Sequence, residues 1–247
     1  MTKILVVADG LTKTFTSRRG PIHAVIDVSF ECPAGQIFGL LGPNGAGKTT
    51  ALRMLATILT PTAGTATIAG FDVRSQSGEV RERIGFLATE TGLYDRFTAR
   101  ETLRFFGRIN NISPEEIRSR SDELFATLEM TELADRRVGT FSTGEKQKLS
   151  LARSILHDPP VLILDEPTFG LDVMAARTVV ETIGLFREQG RTILLSTHIM
   201  RVAEKLCDRI GILYRGRLHA LGTLDELMRR YGGEDLEEVF FSAVGQG

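Results

Sequence analysis

One short segment of this chain has the residue types and spacing that bind phosphate groups. Gly42–Thr50 reads Gly-Pro-Asn-Gly-Ala-Gly-Lys-Thr-Thr and fits G-x-x-x-x-G-K-[ST]. Its glycines let successive backbone N–H groups turn inward around phosphate oxygens, and a helix N-terminus after them adds positive potential. Lys48 is spaced to reach the β- and γ-phosphates of a nucleotide, and the Thr49 hydroxyl suits Mg²⁺. A mere glycine-rich turn would not need the strand and helix patterns that flank this segment.

A second candidate for chemistry is the acidic pair Asp165-Glu166, which directly follows the apolar run Val161–Leu164. Asp165 at the end of a buried strand suits direct or water-mediated contact with Mg²⁺. Glu166 would then face a γ-phosphate and polarise an attacking water. The alternative, two solvated acids in a turn, is disfavoured by the apolar run. His198, after a further apolar run, suits a hydrogen bond to the γ-phosphate, although a lone histidine is more often structural.

Short apolar runs supply the elements that must position these side chains. Runs of this kind that are apolar on both faces and separated by helical patterns predict a mostly parallel sheet covered by helices. The four runs are Gln36–Leu41, Val161–Leu164, Thr192–Ser196 and Arg209–Leu213. The apolar spacing within Lys48–Leu59 predicts a helix directly after the phosphate-binding segment.

Two regions depart from this alternation. The N-terminal stretch and Thr65–Ala69 have the pattern of half-exposed antiparallel strands. Between about residues 95 and 157 helical patterns dominate, and Ser113-Pro114 is typical of a helix N-cap followed by proline at the first helical position. We therefore expect a helical lobe inserted into an α/β core.

Composition excludes several classes of protein. The 247 residues include 30 Lys+Arg and 31 Asp+Glu, for a formal net charge of -1, so no strong overall field recruits nucleic acid or an anionic membrane surface. Cys32 and Cys207 lie far apart and have no metal-ligand spacing, which favours a reducing compartment. The first apolar run is too short for a signal peptide, and no run approaches the roughly 18 apolar residues of a membrane span.

Together these motifs resemble the ATP-binding subunits of ABC transporters over nearly the whole chain. Phe141–Gln147, Phe-Ser-Thr-Gly-Glu-Lys-Gln, resembles the ABC signature, which usually reads Leu-Ser-Gly-Gly-Gln. Gly170-Leu171-Asp172 resembles the D-loop, and His198 matches the switch histidine of the family. Phe15 matches the aromatic residue that stacks on adenine, although a phenylalanine at such a position is more often part of a core.

The resemblance implies an α/β fold with a RecA-like P-loop NTPase core, an antiparallel β subdomain and an inserted α-helical signature subdomain. The implied division is an ABC ATPase domain over residues 1–232, with its helical subdomain at about 95–157. A short C-terminal extension over residues 233–247 would follow. The expected cofactors are ATP and Mg²⁺.

The resemblance also implies a head-to-tail homodimer in which each ATP contacts the P-loop of one subunit and the signature of the other. It assigns catalysis to Glu166 and His198 and the metal to Thr49 and Asp165. Implied nucleotide contacts are Phe15, Gly42, Pro43, Asn44, Gly45, Ala46, Gly47, Lys48, Thr49, Thr50, Ser142, Thr143 and Gly144. An anion site at a helix N-terminus, completed only when the dimer closes, is the physical basis of the shared contact.

The chain departs from the family pattern at two places. Thr89 or Glu90 stands where the family has the glutamine of the Q-loop. In the signature, Thr143 replaces a glycine and Glu145 replaces a glutamine. A carboxylate near ATP phosphates is unfavourable unless it points away or pairs with a cation, so neither of these two residues is assigned a catalytic role.

The expected function is the ATP-hydrolysing motor of an ABC exporter, acting through a separate integral membrane permease at the cytoplasmic face of the cell membrane. The signature, Thr91–Tyr94 and Asp235–Phe240 resemble NatA-type sodium-efflux ATPases and related drug-resistance exporters, so Na⁺ is the first expected substrate and a drug the second. The alternatives are a soluble single-cassette ABC ATPase and a regulatory module that binds ATP without turnover. Nucleic acid is not an expected partner, because basic pairs such as Arg136-Arg137 are typical of solvated faces.

Overall fold

The strands of the chain form two sheets. The computed structural model describes residues 3–18, 20–89 and 92–245. The antiparallel sheet has the order β2-β1-β4-β5 and consists of β1 (Ile4–Ser17), β2 (Gly20–Pro33), β4 (Ala63–Ile68) and β5 (Phe71–Asp72). The second sheet has the order β10-β9-β3-β8-β7-β6 and consists of β3 (Ile37–Leu41), β6 (Ile84–Leu87), β7 (Val161–Asp165), β8 (Thr192–Thr197), β9 (Arg209–Tyr214) and β10 (Arg217–Gly222). The expected antiparallel and buried parallel strands are both confirmed.

The second sheet is parallel except at one edge, where β10 pairs antiparallel with β9. All residues of β3, β7 and β8 are buried, which explains their unbroken apolar runs. The register pairs Leu41 with Thr197, Asp165 with Ser196, and Leu87 with Leu164. The carboxyl ends of β3, β6, β7 and β8 therefore meet at one edge of the sheet, where ligands bind in open α/β sheets.

Helices cover both faces of this sheet. They are α1 (Lys48–Leu55), α2 (Ser77–Glu82), α3 (Ala99–Ile109), α4 (Pro114–Thr127), α5 (Thr143–Ile155), α6 (Val173–Glu188), α7 (Met200–Leu206), α8 (Leu224–Tyr231) and α9 (Leu236–Gly245). The helical lobe consists mainly of α3, α4 and α5, which pack with α6 over one face. The antiparallel sheet and α1 cover the other face. Within the described ranges, no helix combines the length and apolarity that crossing a bilayer requires.

Local sequence sets several helix ends. The Ser113 hydroxyl accepts the N–H of Glu116, and Pro114 occupies the first helical position, as predicted. Helix α1 ends at Leu55, four residues before the predicted end, because Thr57 adopts a left-handed backbone with φ of 60°. That conformation stops a right-handed helix.

The C-terminal segment contributes to an apolar cluster separate from those on the two faces of the parallel sheet. Helix α9 buries Leu236, Val239 and Phe240 against the end of β3, against β9 and against α7. The backbone N–H of Leu236 also donates to the Glu204 carboxylate of α7 at 3.0 Å. This helix is therefore held by burial of its apolar face as well as by a specific cap.

Both cysteines are free thiols. Burial raises the pKa of Cys32 to about 12 and raises the pKa of Cys207 further above its usual range, with the Asp208 carboxylate adding to both shifts. Because the thiolate is the reactive form, both side chains behave at neutral pH as small apolar groups of the core.

Candidate functional site

The phosphate-binding segment lies between β3 and α1 and forms one wall of a cavity of about 280 Å³. The other walls come from Ala24 of β2 in the antiparallel sheet and from Thr89, Glu166 and Phe169, which follow β6 and β7 at the carboxyl edge of the parallel sheet. The Lys48 ammonium is 5% exposed and donates to the carbonyl oxygens of Gly42 at 2.6 Å and Pro43 at 3.2 Å. A buried cation among inward-turned glycines makes this cavity suited to a polyphosphate.

Two glycines of this loop are required by close backbone contacts. A methyl group on Gly47 would lie 2.3 Å from the Ala24 carbonyl oxygen, and φ there is 107°. A methyl group on Gly42 would lie 2.1 Å from the Leu213 carbonyl oxygen. The Gly216 N–H, in the turn between β9 and β10, donates to the Ala46 carbonyl at 2.9 Å. Neighbouring backbone on both sides therefore holds the loop in position.

Asp165 is the shared hydrogen-bond acceptor of the polar cluster beside this loop. Its carboxylate is fully buried and accepts hydrogen bonds from three hydroxyls. Thr49 donates to Oδ1 at 3.1 Å, Ser196 donates to Oδ1 at 2.6 Å, and Thr89 donates to Oδ2 at 3.0 Å. These bonds join the loop, β8 and the segment after β6 to the end of β7. A buried carboxylate with hydroxyl neighbours is an oxygen donor set suited to a hard divalent cation.

Glu166 has a strained backbone directly after β7. Its φ is 49°, and its N–H donates to the Ser196 hydroxyl at 3.0 Å, which fixes the turn. Non-glycine residues hold such a conformation only where the surroundings impose it, and functional sites are enriched in them. The turn directs a side chain that is 7% exposed into the cavity.

The Glu166 carboxylate lies between two basic groups. Oε1 lies 3.1 Å from Lys48 Nζ, without the angle of a hydrogen bond, and Oε2 accepts from His198 Nδ1 at 2.9 Å. Because Oε1 has no hydrogen-bond donor among the described residues, it is open to a donor from the cavity. The sequence-predicted Lys48, Asp165, Glu166 and His198 are thus brought together.

The signature residues lie elsewhere. Ser142 and Thr143 are exposed at the N-terminus of α5, and neither they nor Gly144 line the cavity. Ser142 and Glu145 form a capping box, in which the Glu145 carboxylate accepts the Ser142 N–H at 2.7 Å. This bond explains how a carboxylate is tolerated in the signature, since it is engaged by its own helix end. Gln147 Nε2 donates to the Pro167 carbonyl at 3.0 Å and links α5 to the turn after Glu166.

Phe15 also lies outside the cavity lining. It is on β1, paired with Ile22 of β2, and is 37% exposed. The Lys13 ammonium lies 5.3 Å from its ring centre. An exposed aromatic face on a strand is available for stacking, but the described geometry does not join it to the polar cluster.

Three residues of the site were not assigned from the sequence. Thr89 and Ser196 donate to Asp165, and the Phe169 ring lines the cavity 6.3 Å from the His198 ring. For Ser196 a signal was present, because it ends a buried strand expected to neighbour β7. For Thr89 the signal was its place, shared with Glu90, where the family has the glutamine of the Q-loop, but no role was assigned to it. Glu90, the other candidate for the glutamine position, lies outside the described residues.

Comparison with known proteins agrees with this geometry. Residues 25–169 match the family described as ABC transporter. The chain is 40% identical to the ABC transporter ATP-binding protein NatA of Bacillus subtilis strain 168, over 98% of this chain and 99% of the relative. It is 34% identical to the linearmycin resistance ATP-binding protein LnrL of the same strain, over 98% of this chain and 76% of that relative.

A solved structure extends the likeness to the fold. It is the dimeric post-hydrolysis state of the ATP-binding cassette MJ0796 bound to ADP and Pi. It superposes with a TM-score of 0.82 at 26% identity, covering 89% of this chain and 99% of that one. The fold described above is therefore that of an ATP-binding cassette. The chain belongs to the ABC transporter family and is one of its ATPases.

Proposed function

We propose that the chain is the motor subunit of an ABC exporter, which hydrolyses ATP as a homodimer and drives efflux through a separate membrane permease. The observation that carries this proposal is the convergence of Lys48, Asp165, Glu166 and His198 at one edge of the sheet. A regulatory module that only binds ATP would not need Glu166 held beside the phosphate loop.

In the proposed reaction, Lys48 and the loop N–H groups bind the β- and γ-phosphates and stabilise charge that develops on them. Glu166 Oε1 orients and polarises the attacking water, and His198 holds the carboxylate in place through Oε2. Phosphate oxygens compete with Glu166 for Lys48, which frees the carboxylate for that water.

The residues present fit Mg²⁺. Thr49 Oγ1 and Asp165 Oδ1 lie 3.1 Å apart beside the phosphate loop, and the other side chains bonded to this carboxylate, Ser196 and Thr89, also present hydroxyl oxygens. At nucleotide sites Mg²⁺ is typically held by one or two protein ligands together with substrate phosphates. Thr49 and Asp165 would hold the ion, which when bound would neutralise phosphate charge.

Thr89 is a positioning residue in this scheme, since its hydroxyl fixes Oδ2 of Asp165. Thr89→Val removes the hydroxyl at nearly constant shape. We expect the Mg²⁺ concentration for half-maximal ATP hydrolysis to rise about 10-fold, the size of effect typical for groups that orient metal ligands. Thr89→Ser keeps the donor and serves as the matched control. An Mg²⁺ requirement unchanged in the valine variant contradicts this role.

The homodimer rests on two features of the surface. Ser142, Thr143 and Gly144 lie outside their own subunit's cavity, so a second copy is the simplest source of a signature for each ATP. The segment after Glu166 also exposes apolar side chains, with Val173 at 84% and Met174 at 70%. Exposed apolar groups at a helix N-terminus next to the site suit burial against a partner subunit.

An aromatic cluster is our candidate for the permease contact. The rings of Tyr94, Phe97 and Phe105 contact one another, Phe106 packs edge to face on Phe105, and Tyr94 is 52% exposed. The Lys146–Asp95 ion pair, 3.1 Å long, joins this segment to the signature helix. A partner docked on these rings is thus connected through this ion pair to the signature helix, which suits a permease at the cytoplasmic face of the membrane.

The proposed substrate is an ion, with Na⁺ first, or a drug. The sequence resemblance to sodium-efflux ATPases supports the ion. The similarity to a linearmycin resistance protein over 98% of this chain supports the drug. A soluble single-cassette ATPase that is not coupled to transport is the second candidate.

Co-purification tests this function. A tagged Glu166→Gln chain, recovered from gently solubilised membranes of its own cells, is expected to bring one integral membrane protein with it. Adding Tyr94→Ser should reduce the recovered partner about 10-fold, the effect of removing an aromatic anchor of an interface. Adding Ile58→Ser, at an apolar side chain 55% exposed elsewhere, should not. Recovery of soluble proteins alone supports the second candidate.

Reconstitution with the recovered partner then decides the substrate. Vesicles containing the wild-type chain and that permease are loaded with Na⁺ in one arm and with a hydrophobic drug in the other. ATP-dependent flux in one arm identifies the substrate class. Absence of flux in both, with intact ATP hydrolysis, contradicts the export of either.

A further inference from the structure

A basic cavity lies between α3 and α4, outside the nucleotide site. Its volume is about 250 Å³, below the usual range of drug-sized pockets and suited to a small group. Its lining residues all belong to these two helices: Arg100, Arg104, Arg108, Pro114, Ile117, Arg118 and Ser121. Among the described residues that line it there is no carboxylate.

The helices bring these arginines together by sequence spacing and by close packing. Arg100, Arg104 and Arg108 are four residues apart on one face of α3, where like charges repel. Gly107 allows α4 to approach, because a methyl group there would lie 2.6 Å from Ile117 Cγ1. The cationic face of α3 is therefore pressed toward Arg118, an arrangement that an anion between the helices would stabilise.

Internal ion pairs neutralise only part of this charge. Arg100 pairs with Asp122 at 2.6 Å and with Asp135 at 3.3 Å. Arg104 lies 4.0 Å from Glu101, whose other oxygen caps α3. Arg108 and Arg118 make no ion pair with any described residue. Two guanidinium groups are thus available to a ligand.

A buried hydroxyl provides the second, independent observation. Ser121 lines the cavity, is 1% exposed, and its Oγ has no hydrogen-bond partner among the described residues. A buried hydroxyl without a partner is unfavourable, so its retention needs an explanation. Guanidinium groups and a hydroxyl donor together match the oxygens of a phosphate group.

We propose that Arg104, Arg108, Arg118 and Ser121 form a binding site for a phosphate-bearing anion, separate from the ATP site. The arginines bind the charged oxygens from both helices, and the Ser121 hydroxyl donates to an oxygen at the floor of the cavity. The same chemistry fits a free phosphate compound and the headgroup of an anionic lipid.

The test measures binding to the full chain with its nucleotide site filled by a non-hydrolysable ATP analogue and Mg²⁺. Inorganic phosphate is titrated by calorimetry in one arm. In the other, the chain is floated with phosphatidylcholine vesicles that contain or lack phosphatidylglycerol. Arg108→Gln/Arg118→Gln should weaken binding at least about 10-fold, and Ser121→Ala several-fold, as expected for lost charge-assisted and neutral hydrogen bonds.

Arg229→Gln/Arg230→Gln is the matched control, since it removes two exposed arginines from α8. Phosphate binding that only the cavity variants lose supports a soluble ligand, and vesicle binding with the same pattern supports a lipid headgroup. Ser121→Ala keeps all charges, so weaker binding by this variant shows that the anion lies in the cavity and is not bound by the net charge of the surface alone. Equal binding by the wild type and the cavity variants, or binding in neither arm, overturns the proposal.

Discussion

Replacing Glu166 by glutamine is expected to lower ATP hydrolysis by about 100-fold or more, the range typical of losing a general base. The substitution keeps the size of the side chain, so the hydrogen bond to His198 and the packing of the turn can be retained. It removes the negative charge that polarises water and that pairs with Lys48. ATP affinity is therefore expected to stay the same or increase.

The consequence for assembly is measurable in the same preparation. If hydrolysis opens the dimer, the Glu166→Gln chain should accumulate as a dimer with ATP, seen by size-exclusion chromatography with light scattering. The matched control is Glu181→Gln, which removes an exposed carboxylate that pairs with Arg177 on α6. It should hydrolyse ATP at the wild-type rate. A Glu166→Gln rate near that of the wild type would show that another group activates the water.

Mixing two inactive variants is expected to restore hydrolysis, because each site is proposed to combine two subunits. Lys48→Ala removes the cation of the phosphate loop, and Ser142→Asp places a carboxylate where the signature is proposed to meet the γ-phosphate. Aspartate is itself a good N-cap, so α5 keeps its helix end. In a mixed dimer one site has both defects and the other has none.

The expected ATPase activity of the mixture follows from the fraction of dimers that contain one subunit of each variant. With equal and random mixing about half of the dimers are mixed, and each has one intact site, so about a quarter of wild-type activity is expected if single sites turn over. Each variant alone should be nearly inactive. Circular dichroism and thermal unfolding check that both fold. Activity equal to the mean of the two parents would mean that each subunit contains a whole site.

The sequence pattern was enough to predict those features that are set by residues adjacent in the chain. The phosphate loop, the acidic pair and the buried strands are each defined by a few consecutive residues, so their types and spacing were sufficient. The mostly parallel sheet then follows, because strands that are apolar on both faces and separated by helical segments pair in parallel beneath covering helices. The family match and the fold comparison confirm that architecture.

Contacts between distant segments were not predictable in this way. The hydrogen bond from Thr89 to Asp165 joins residues 76 positions apart, and no local pattern marks it. The end of α1 depends on one left-handed residue, Thr57, in a sequence whose apolar spacing continues to Leu59. Likewise, the spacing of the α3 arginines was visible, but the approach of α4 at Gly107, which makes a cavity of them, was not.

The backbone contacts of the phosphate loop have a thermodynamic consequence. Ala46 accepts the N–H of Gly216, and the Gly42 N–H donates to the Thr197 carbonyl at 3.3 Å. Ordering a backbone residue costs about 1–2 kcal/mol in conformational entropy. Here that cost is met during folding, so the loop is preorganised and the contacts with ATP contribute to affinity without an ordering penalty. The turn at Gly216, outside every nucleotide motif, thus contributes to the free energy of nucleotide binding.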